Sequence, residues 1–204
     1  LMLPAREGAH EFLKLNPAVP IIFIEGGSQG SVAINDVVLA ALPQLLEKYQ
    51  IVHQTGEANL VEVEGRAKIA LGDSPSAVRY RTFGYLNELA LRMTAGVAKI
   101  IVSRAGAGSI FEIAIWGIPS ILVPIPEEIS HDQTKNAFAF ARSGAATVIE
   151  QTNLKPGVLL SEINRIIEHE EISRSMSQAA RNYARVDASR TIAEALLSIS
   201  LSHE

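Results

Sequence analysis

Residues 21–31 read IIFIEGGSQGS and join an apolar run to a glycine-rich turn. The run at 19–25 has the length and aliphatic content of a strand that is buried on both faces, as in a parallel sheet. Apolar residues at helical spacing follow at 32–49. The glycines therefore lie where a strand turns into a helix, where they allow unusual backbone angles and the close approach of a ligand.

The same alternation of apolar runs and helical periods continues along the chain. We predict strands at 19–25, 50–54, 78–83, 99–103, 120–125 and 146–150, helices between them at 32–49, 58–70, 87–97, 109–116 and 131–143, and only helices from about 155 to 202. Strands separated by helices in this way indicate βαβ units. Since no linker interrupts the pattern, we expect residues 1–204 to form a single α/β domain. Its core would be a Rossmann-like parallel sheet of about six strands with flanking helices and a helical C-terminal tail.

The composition excludes several classes of site. The 204 residues are 48% hydrophobic and 20% charged, which is typical of a globular protein with a buried core. A net charge of -4 gives no general attraction to nucleic acid, so we expect no nucleic-acid partner. There is no cysteine for a disulfide or a thiolate metal site, and no apolar run approaches the roughly 20 residues of a membrane helix.

A second glycine-rich turn, SRAGAGS at 103–109, also follows a predicted strand and precedes a helix. It contains Gly106 and Gly108, with Arg104 nearby and Ser109 placed to cap the helix. The free N–H groups at a helix start favour an anion, and ligands of parallel sheets bind at the carboxyl ends of the strands. The two turns can therefore clasp one extended, phosphate-containing ligand. The alternative is a pair of tight turns without a ligand. Neither turn has a P-loop sequence or a complete dinucleotide fingerprint, which disfavours NAD.

Polar side chains follow the second turn. Glu112, one helical turn further on, can accept hydrogen bonds from both ribose hydroxyls, although an acidic residue there also complements the helix dipole. Asp132, Gln133 and Asn136 can recognise sugar hydroxyls or, alternatively, cap a helix. No Asp-x-Asp pair is placed to hold a divalent metal, and we expect neither a metal nor a cofactor.

Five motifs occur in order: GGSQG at 26–30, HQTG at 53–56, SRAGAGSIFEIAIWGIPSILVPIP at 103–126, DQTKNA at 132–137 and GAA at 144–146. Together they resemble the C-terminal half of the MurG family, the bacterial transferases that add N-acetylglucosamine to lipid I to form lipid II. The resemblance runs from about residue 21 to about residue 150, and more loosely to the end. It implies one half of a GT-B glycosyltransferase, the domain that binds the donor UDP-N-acetylglucosamine.

The resemblance also implies roles for individual residues. The first turn would face the diphosphate, the second would offer donors to the phosphates, Glu112 would hold the ribose, and the 132–136 segment would recognise the sugar. The implied donor-binding residues are Gly27, Ser28, Gln29, Gly30, Arg104, Gly106, Ala107, Gly108, Ser109, Glu112, Asp132, Gln133 and Asn136. A less closely matching segment gives Phe83, Tyr85 and Leu86 as possible uracil contacts.

The family's N-terminal domain has no counterpart in this sequence. In the family that domain carries the lipid-pyrophosphate loops, the membrane-associating patch and the histidine proposed as general base. The resemblance therefore implies an inverting transferase on the cytoplasmic face of the plasma membrane in which lipid I and the membrane contact the missing domain, and in which this chain alone is inactive. An alternative is a stand-alone donor-binding subunit or UDP-sugar-binding protein that needs a separate acceptor-binding partner. A nucleotide-sugar epimerase of the same architecture would share the glycine-rich turns but not the SRAGA block.

Overall fold

The structure is a computed structural model that describes residues 3–184. The part of the predicted helical tail beyond residue 184 lies outside the described residues. In chain order, the helices and strands are α1 (Ala9–Leu13), β1 (Ile21–Glu25), α2 (Val32–Lys48), β2 (Gln50–Gln54), α3 (Leu60–Leu71), β3 (Tyr80–Phe83), α4 (Glu88–Val97), β4 (Ala98–Ser103), α5 (Ala107–Trp116), β5 (Ser120–Leu122), α6 (His131–Arg142), β6 (Ala146–Val148), α7 (Pro156–Glu168) and α8 (Glu170–Tyr183). Short 3-10 turns lie at Glu57–Asn59, Pro75–Arg79 and Gln151–Asn153.

The strands form one parallel sheet in the order β3-β2-β1-β4-β5-β6, which confirms the predicted fold class. The chain builds outward from β1 in one direction and then restarts beside it with β4. The strand order therefore reverses between these two central strands. In open α/β sheets such a reversal opens a crevice at the carboxyl ends of the strands, where ligands bind.

Strand β1 lies at the centre of the core, and all five of its residues are buried. Because successive side chains of a strand point to opposite faces, Ile22 and Ile24 pack on the side of α2, α3 and α7. Ile21 and Phe23 pack on the other side, with α4, α5 and α6. The aliphatic run at 21–24 thus supplies both layers of the core.

The observed elements differ from the predicted ones mainly at their ends. Strand β5 ends at Leu122 rather than at residue 125. Pro124 and Pro126 have no N–H group to donate to a neighbouring strand, which accounts for the early end. Helix α1 was not predicted, since its five residues are too few to show an apolar period. Within residues 3–184, no helix is long and apolar enough to cross a membrane.

Candidate functional site

The two glycine-rich turns leave the sheet side by side. Glu25, the last residue of β1, is the register partner of Ser103, the last residue of β4. The turn at 26–31 and the turn at 104–106 therefore start from neighbouring points at the reversal of strand order. This placement agrees with the expectation that both turns border one binding crevice.

The first turn is packed tightly against the loop that follows β2. Gly30 has a φ of 75°, and a Cβ there would lie 1.8 Å from the carbonyl oxygen of Thr55. Reciprocally, a Cβ on Gly56 would lie 2.1 Å from the carbonyl oxygen of Gln29. These two glycines allow two backbones to pack directly against each other. The fold itself therefore requires Gly30, whether or not a ligand binds.

Gln54 of β2 and Ser31 of the turn itself hold the first turn and the start of α2 in place. Gln54 Nε2 donates to the carbonyl of Gly27 at 3.0 Å, and its Oε1 accepts from the N–H of Leu86 at 2.9 Å. Ser31 caps α2, since its Oγ accepts from the N–H of Ile34 at 3.4 Å. The start of α2 is thus partly satisfied within the protein.

His53 of β2 stabilises the start of α2 and the loop after β2 through a buried hydrogen-bond network. Its Nε2 lies 3.0 Å from Asn35 Oδ1 and its Nδ1 lies 2.7 Å from the hydroxyl of Tyr80, while Asn35 Nδ2 donates to the carbonyl of Thr55 at 3.1 Å. Burial lowers the pKa of His53 to about 3, so the ring is neutral. An amide oxygen only accepts, so Nε2 carries the proton and Nδ1 accepts from Tyr80. Both ring nitrogens are thus engaged within the fold.

The second turn is open by comparison. Helix α5 begins at Ala107, and its N-cap residue Gly106, with a φ of -64°, provides no side-chain cap. A Cβ on Gly106 or on Gly108 would meet nothing within 4 Å. The prediction that Ser109 caps this helix is wrong, because Ser109 is the third helical residue. The first N–H groups of α5 therefore lack a side-chain cap, as an anion site requires.

Arg104 and Gln133 tie the second turn to the neighbouring loops. Arg104 donates through Nη1 to the carbonyls of Val123 and Pro124, at 3.1 and 3.2 Å, and through Nη2 to Gln151 Oε1 at 2.7 Å. Gln133 Oε1 accepts from the N–H groups of residues 105 and 125, both at 3.2 Å. Burial lowers the pKa of Arg104. Among the described residues, the guanidinium pairs with no carboxylate, so its positive charge is left uncompensated at the strand ends.

The other predicted site residues lie around these turns. Ser28 and Gln29 are the exposed tip of the first turn, which is closed by the bond from the N–H of Gly30 to the carbonyl of Gly27 at 3.0 Å. Glu112 is partly buried on α5, and burial raises its pKa. In the first half of α6, the side chain of Asp132 is exposed, whereas Asn136 lines a groove together with Ala107, Ile110 and Phe111 of α5.

The possible uracil contacts differ in accessibility. Leu86 is 2% exposed and belongs to the core, whereas Tyr85 is 58% exposed. Phe83 is partly buried at the end of β3. The side chain of Tyr85 is therefore the one of the three that is free to cover a ligand.

Sequence reasoning missed Glu25. Its side chain is 7% exposed at the end of β1, and its Oε2 has no hydrogen-bond partner. Burial and the nearby carboxylate of Glu112 raise the pKa of Glu25 to about 7. The available signal was a carboxylate that ends an aliphatic strand directly before a glycine-rich turn, since charged residues are rarely buried without a partner. In residues 3–184, no three His, Asp or Glu side chains cluster as metal ligands would.

Known proteins are similar to this chain in sequence and in fold. A protein of Limosilactobacillus reuteri named UDP-N-acetylglucosamine–N-acetylmuramyl-(pentapeptide) pyrophosphoryl-undecaprenol N-acetylglucosamine transferase is 32% identical over 191 residues, 93% of this chain and 50% of that protein. A protein of the same name from Syntrophotalea carbinolica is 36% identical over 183 residues, 88% of this chain and 49% of that protein. The chain thus spans about half the length of the curated relatives it matches.

The crystal structure of Acinetobacter baumannii MurG superposes with a TM-score of 0.77 at 25% identity, covering 97% of this chain and 54% of that one. These matches confirm the resemblance predicted from the five motifs. Residues 21–194 match the family model described as the glycosyltransferase family 28 C-terminal domain. The chain therefore belongs to the glycosyltransferase family 28 C-terminal domain family.

Proposed function

We propose that this chain binds UDP-N-acetylglucosamine and is the donor half of an inverting transferase that adds N-acetylglucosamine to lipid I to form lipid II. The observation that carries the proposal is the second turn. Its glycines are not required by the fold, and they leave the start of α5 uncapped and open beside the reversal of strand order. The relatives are named as transferases of this sugar, which supports the choice of ligand.

The diphosphate would lie at the start of α5, where the N–H groups of Ala107, Gly108 and Ser109 and the helix dipole attract an anion. Across the crevice, the exposed side chains of Ser28 and Gln29 would contact the same phosphates. The absence of a Cβ at Gly108 would let the phosphates approach the backbone closely.

The nucleoside and the sugar would lie on either side of the diphosphate. Glu112 is four residues beyond Gly108 and so one turn further along α5, where its carboxylate would accept from the ribose hydroxyls. Tyr85 would cover the uracil. Asp132, Asn136 and the amide N–H groups of Gln133 would recognise the sugar, since the Gln133 oxygen is already used by the backbone.

These donors would act on the leaving group of the reaction. As the acceptor hydroxyl attacks the anomeric carbon, the departing UDP gains negative charge, and N–H dipoles that are already oriented stabilise that charge without further reorganisation. The attacking hydroxyl also needs a general base. We assign none within residues 3–184, since both ring nitrogens of His53 are engaged in the fold.

The proposal places the remaining functions in a second domain. The base, the contacts with lipid I and the association with the inner face of the plasma membrane would belong to an acceptor-binding half, which this chain would meet across the crevice. The chain itself would remain on the cytoplasmic side.

The test is a pair of measurements on the same preparation. We expect calorimetry to show binding of UDP-N-acetylglucosamine, and we expect a lipid II assay with a lipid I analogue to show no transfer by this chain alone. Addition of the N-terminal half of the Limosilactobacillus reuteri relative should restore transfer, because orienting the two substrates can contribute roughly 7–11 kcal/mol. The control variant Ile69→Ala, at an 84% exposed position on α3, should bind the donor normally. Absence of binding at millimolar ligand contradicts the proposal. Turnover by the chain alone contradicts the assignment of the base and the acceptor contacts to a second domain.

A further inference from the structure

Glu25 lies at the floor of the crevice, beneath the two turns. Ile21, Phe23 and Ile101 pack on the face of the sheet that carries α5. By the alternation of side chains along a strand, Glu25 and its register partner Ser103 point to that same face. Neither the Glu25 Oε2 atom nor the Ser103 hydroxyl has a hydrogen-bond partner, although both residues are buried. A buried carboxyl group with an unpartnered oxygen thus borders the proposed phosphate site.

The groups that face Glu25 act on its charge in opposite directions. The Glu112 carboxylate on α5 repels a second negative charge and raises the pKa of Glu25, whereas the Ser103 hydroxyl on β4 favours the charged form and lowers that pKa by a smaller amount. From β2 comes Gln54, whose amide is already bonded to Gly27 and Leu86. Among the described residues, no Lys, Arg or His contributes to stabilising the Glu25 carboxylate. The guanidinium of Arg104 donates to other oxygens instead.

We propose that donor binding is linked to protonation: when a nucleoside diphosphate binds at the two turns, the carboxyl of Glu25 takes up one proton from solvent. This inference rests on the proposed function. No covalent bond in the ligand changes in the step. One O–H bond forms on Glu25, and the buffer loses the proton.

The physical reason is the accumulation of negative charge. Burial and Glu112 raise the pKa of Glu25 to about 7 in the free protein, so this carboxyl can gain or lose a proton near neutral pH. A bound diphosphate adds further negative charge beside this carboxyl and disfavours its ionised form still more. The protonated carboxyl gains a hydrogen that it can donate to Glu112 or to the ligand.

The experiment measures the affinity for UDP-N-acetylglucosamine by calorimetry between about pH 6 and about pH 8. This ligand is chosen because both of its phosphates are esterified, whereas the terminal phosphate of UDP itself titrates near a pKa of about 6. The affinity should fall about tenfold over this range. Repeating the titration near pH 8 in buffers of different ionisation enthalpy should reveal the uptake of about one proton per ligand.

Two variants assign the proton to one residue. Glu25→Gln has the same shape and cannot ionise, so its affinity should be independent of pH and its proton uptake should vanish. Glu112→Gln should bind more weakly at every pH and should still take up a proton. Ile69→Ala, at an 84% exposed position on α3 far from Glu25 in the sheet, should retain the pH dependence of the unaltered protein.

The outcomes separate this inference from the proposed function. Failure of the unaltered protein to bind at any pH defeats the proposed function, on which the linkage depends. Binding without pH dependence or proton uptake defeats the linkage alone. If Glu25→Gln retains the proton uptake, the proton belongs to another group and the assignment to Glu25 is wrong. If Glu25→Gln does not fold, the measurements on the unaltered protein still decide whether the linkage exists.

Discussion

The two glycine-rich turns have similar sequences and equivalent places in the sheet, yet they use their glycines differently. In the first turn, Gly30 has a positive φ and packs against the backbone of Thr55, and the helix that follows is capped by Ser31. In the second turn, Gly106 and Gly108 face open space and the helix has no side-chain cap. Groups of the protein pack against the first turn and cap its helix, whereas the N–H groups at the second turn remain available to a ligand.

This difference explains why a glycine-rich turn alone is a weak functional signal. Glycine is required both where two parts of a backbone meet and where a backbone meets a ligand. What distinguishes the cases is the atom that a Cβ would touch. For Gly30 that atom belongs to the loop after β2, and for Gly108 the structure provides none.

The largest effect is expected from Gly30→Ala. The new methyl group would collide with the Thr55 carbonyl oxygen, and the φ of 75° would strain the residue as well. We expect a loss of roughly 3 kcal/mol or more in the free energy of unfolding, measured by urea denaturation.

Gly27→Ala is the matched control for the close approach. Gly27 has a similar φ of 85°, but a Cβ there would meet nothing within 4 Å. This variant should lose only the backbone term of roughly 1–2 kcal/mol. Equal losses in the two variants would mean that φ alone, and not packing against Thr55, requires the glycine.

A smaller effect, on binding rather than on folding, is expected from Glu112→Ala in the second turn's helix. If Glu112 holds the ribose, UDP should bind more weakly by roughly 1.5–3 kcal/mol, the value for a hydrogen bond to a charged group. 2′-Deoxyuridine diphosphate should be nearly insensitive to the change. The measurement is calorimetric titration of both ligands, with a thermal melt to verify the fold.

Ser28→Ala gives the corresponding test in the first turn. Its exposed hydroxyl is a neutral partner, so the loss should be at most about 1.5 kcal/mol and equal for both ligands. If Glu112→Ala also weakens both ligands equally, Glu112 serves the helix rather than the ribose.

The number of strands and the positions of the two glycine-rich turns could be predicted because they depend on local patterns, whereas the strand order came only from the structure. Apolar runs separated by helical periods indicated all six strands, and the turns could be placed at the carboxyl ends of two of them. The start of α5 was predicted two residues too late, since Ser109 is a good capping residue in isolation but Gly106 holds that position.

The functions of individual glycines could not be predicted, because they depend on contacts between distant segments. Nothing within 21–31 shows that the loop at Thr55 and Gly56 packs against Gly30. Equally, the raised pKa of Glu25 depends on its burial and on Glu112, which lies on a helix that follows a different strand. The network of His53, Asn35 and Tyr80 also joins three separate elements. The HQTG motif could therefore be recognised in the sequence, but the structural role of His53 could not be predicted from it.

The smallest effect on stability, with the opposite sign, is expected from Gly108→Ala. Gly108 lies in the first turn of α5 with no atom within 4 Å of a new methyl group, and alanine is the better helix former. The free energy of unfolding should therefore rise by roughly 0.5–1 kcal/mol. The same methyl group would stand where the phosphates approach the backbone, so the affinity for UDP-N-acetylglucosamine should fall at least about tenfold, or about 1.4 kcal/mol.

Gly65→Ala is the matched control, because Gly65 is an exposed residue within α3 that also faces open space. It should give a similar gain in stability and leave the affinity unchanged. Urea denaturation and calorimetry on both variants therefore separate the helix from the ligand. A Gly108→Ala variant that is more stable and still binds the donor normally would show that the second turn is open for a reason other than the phosphates.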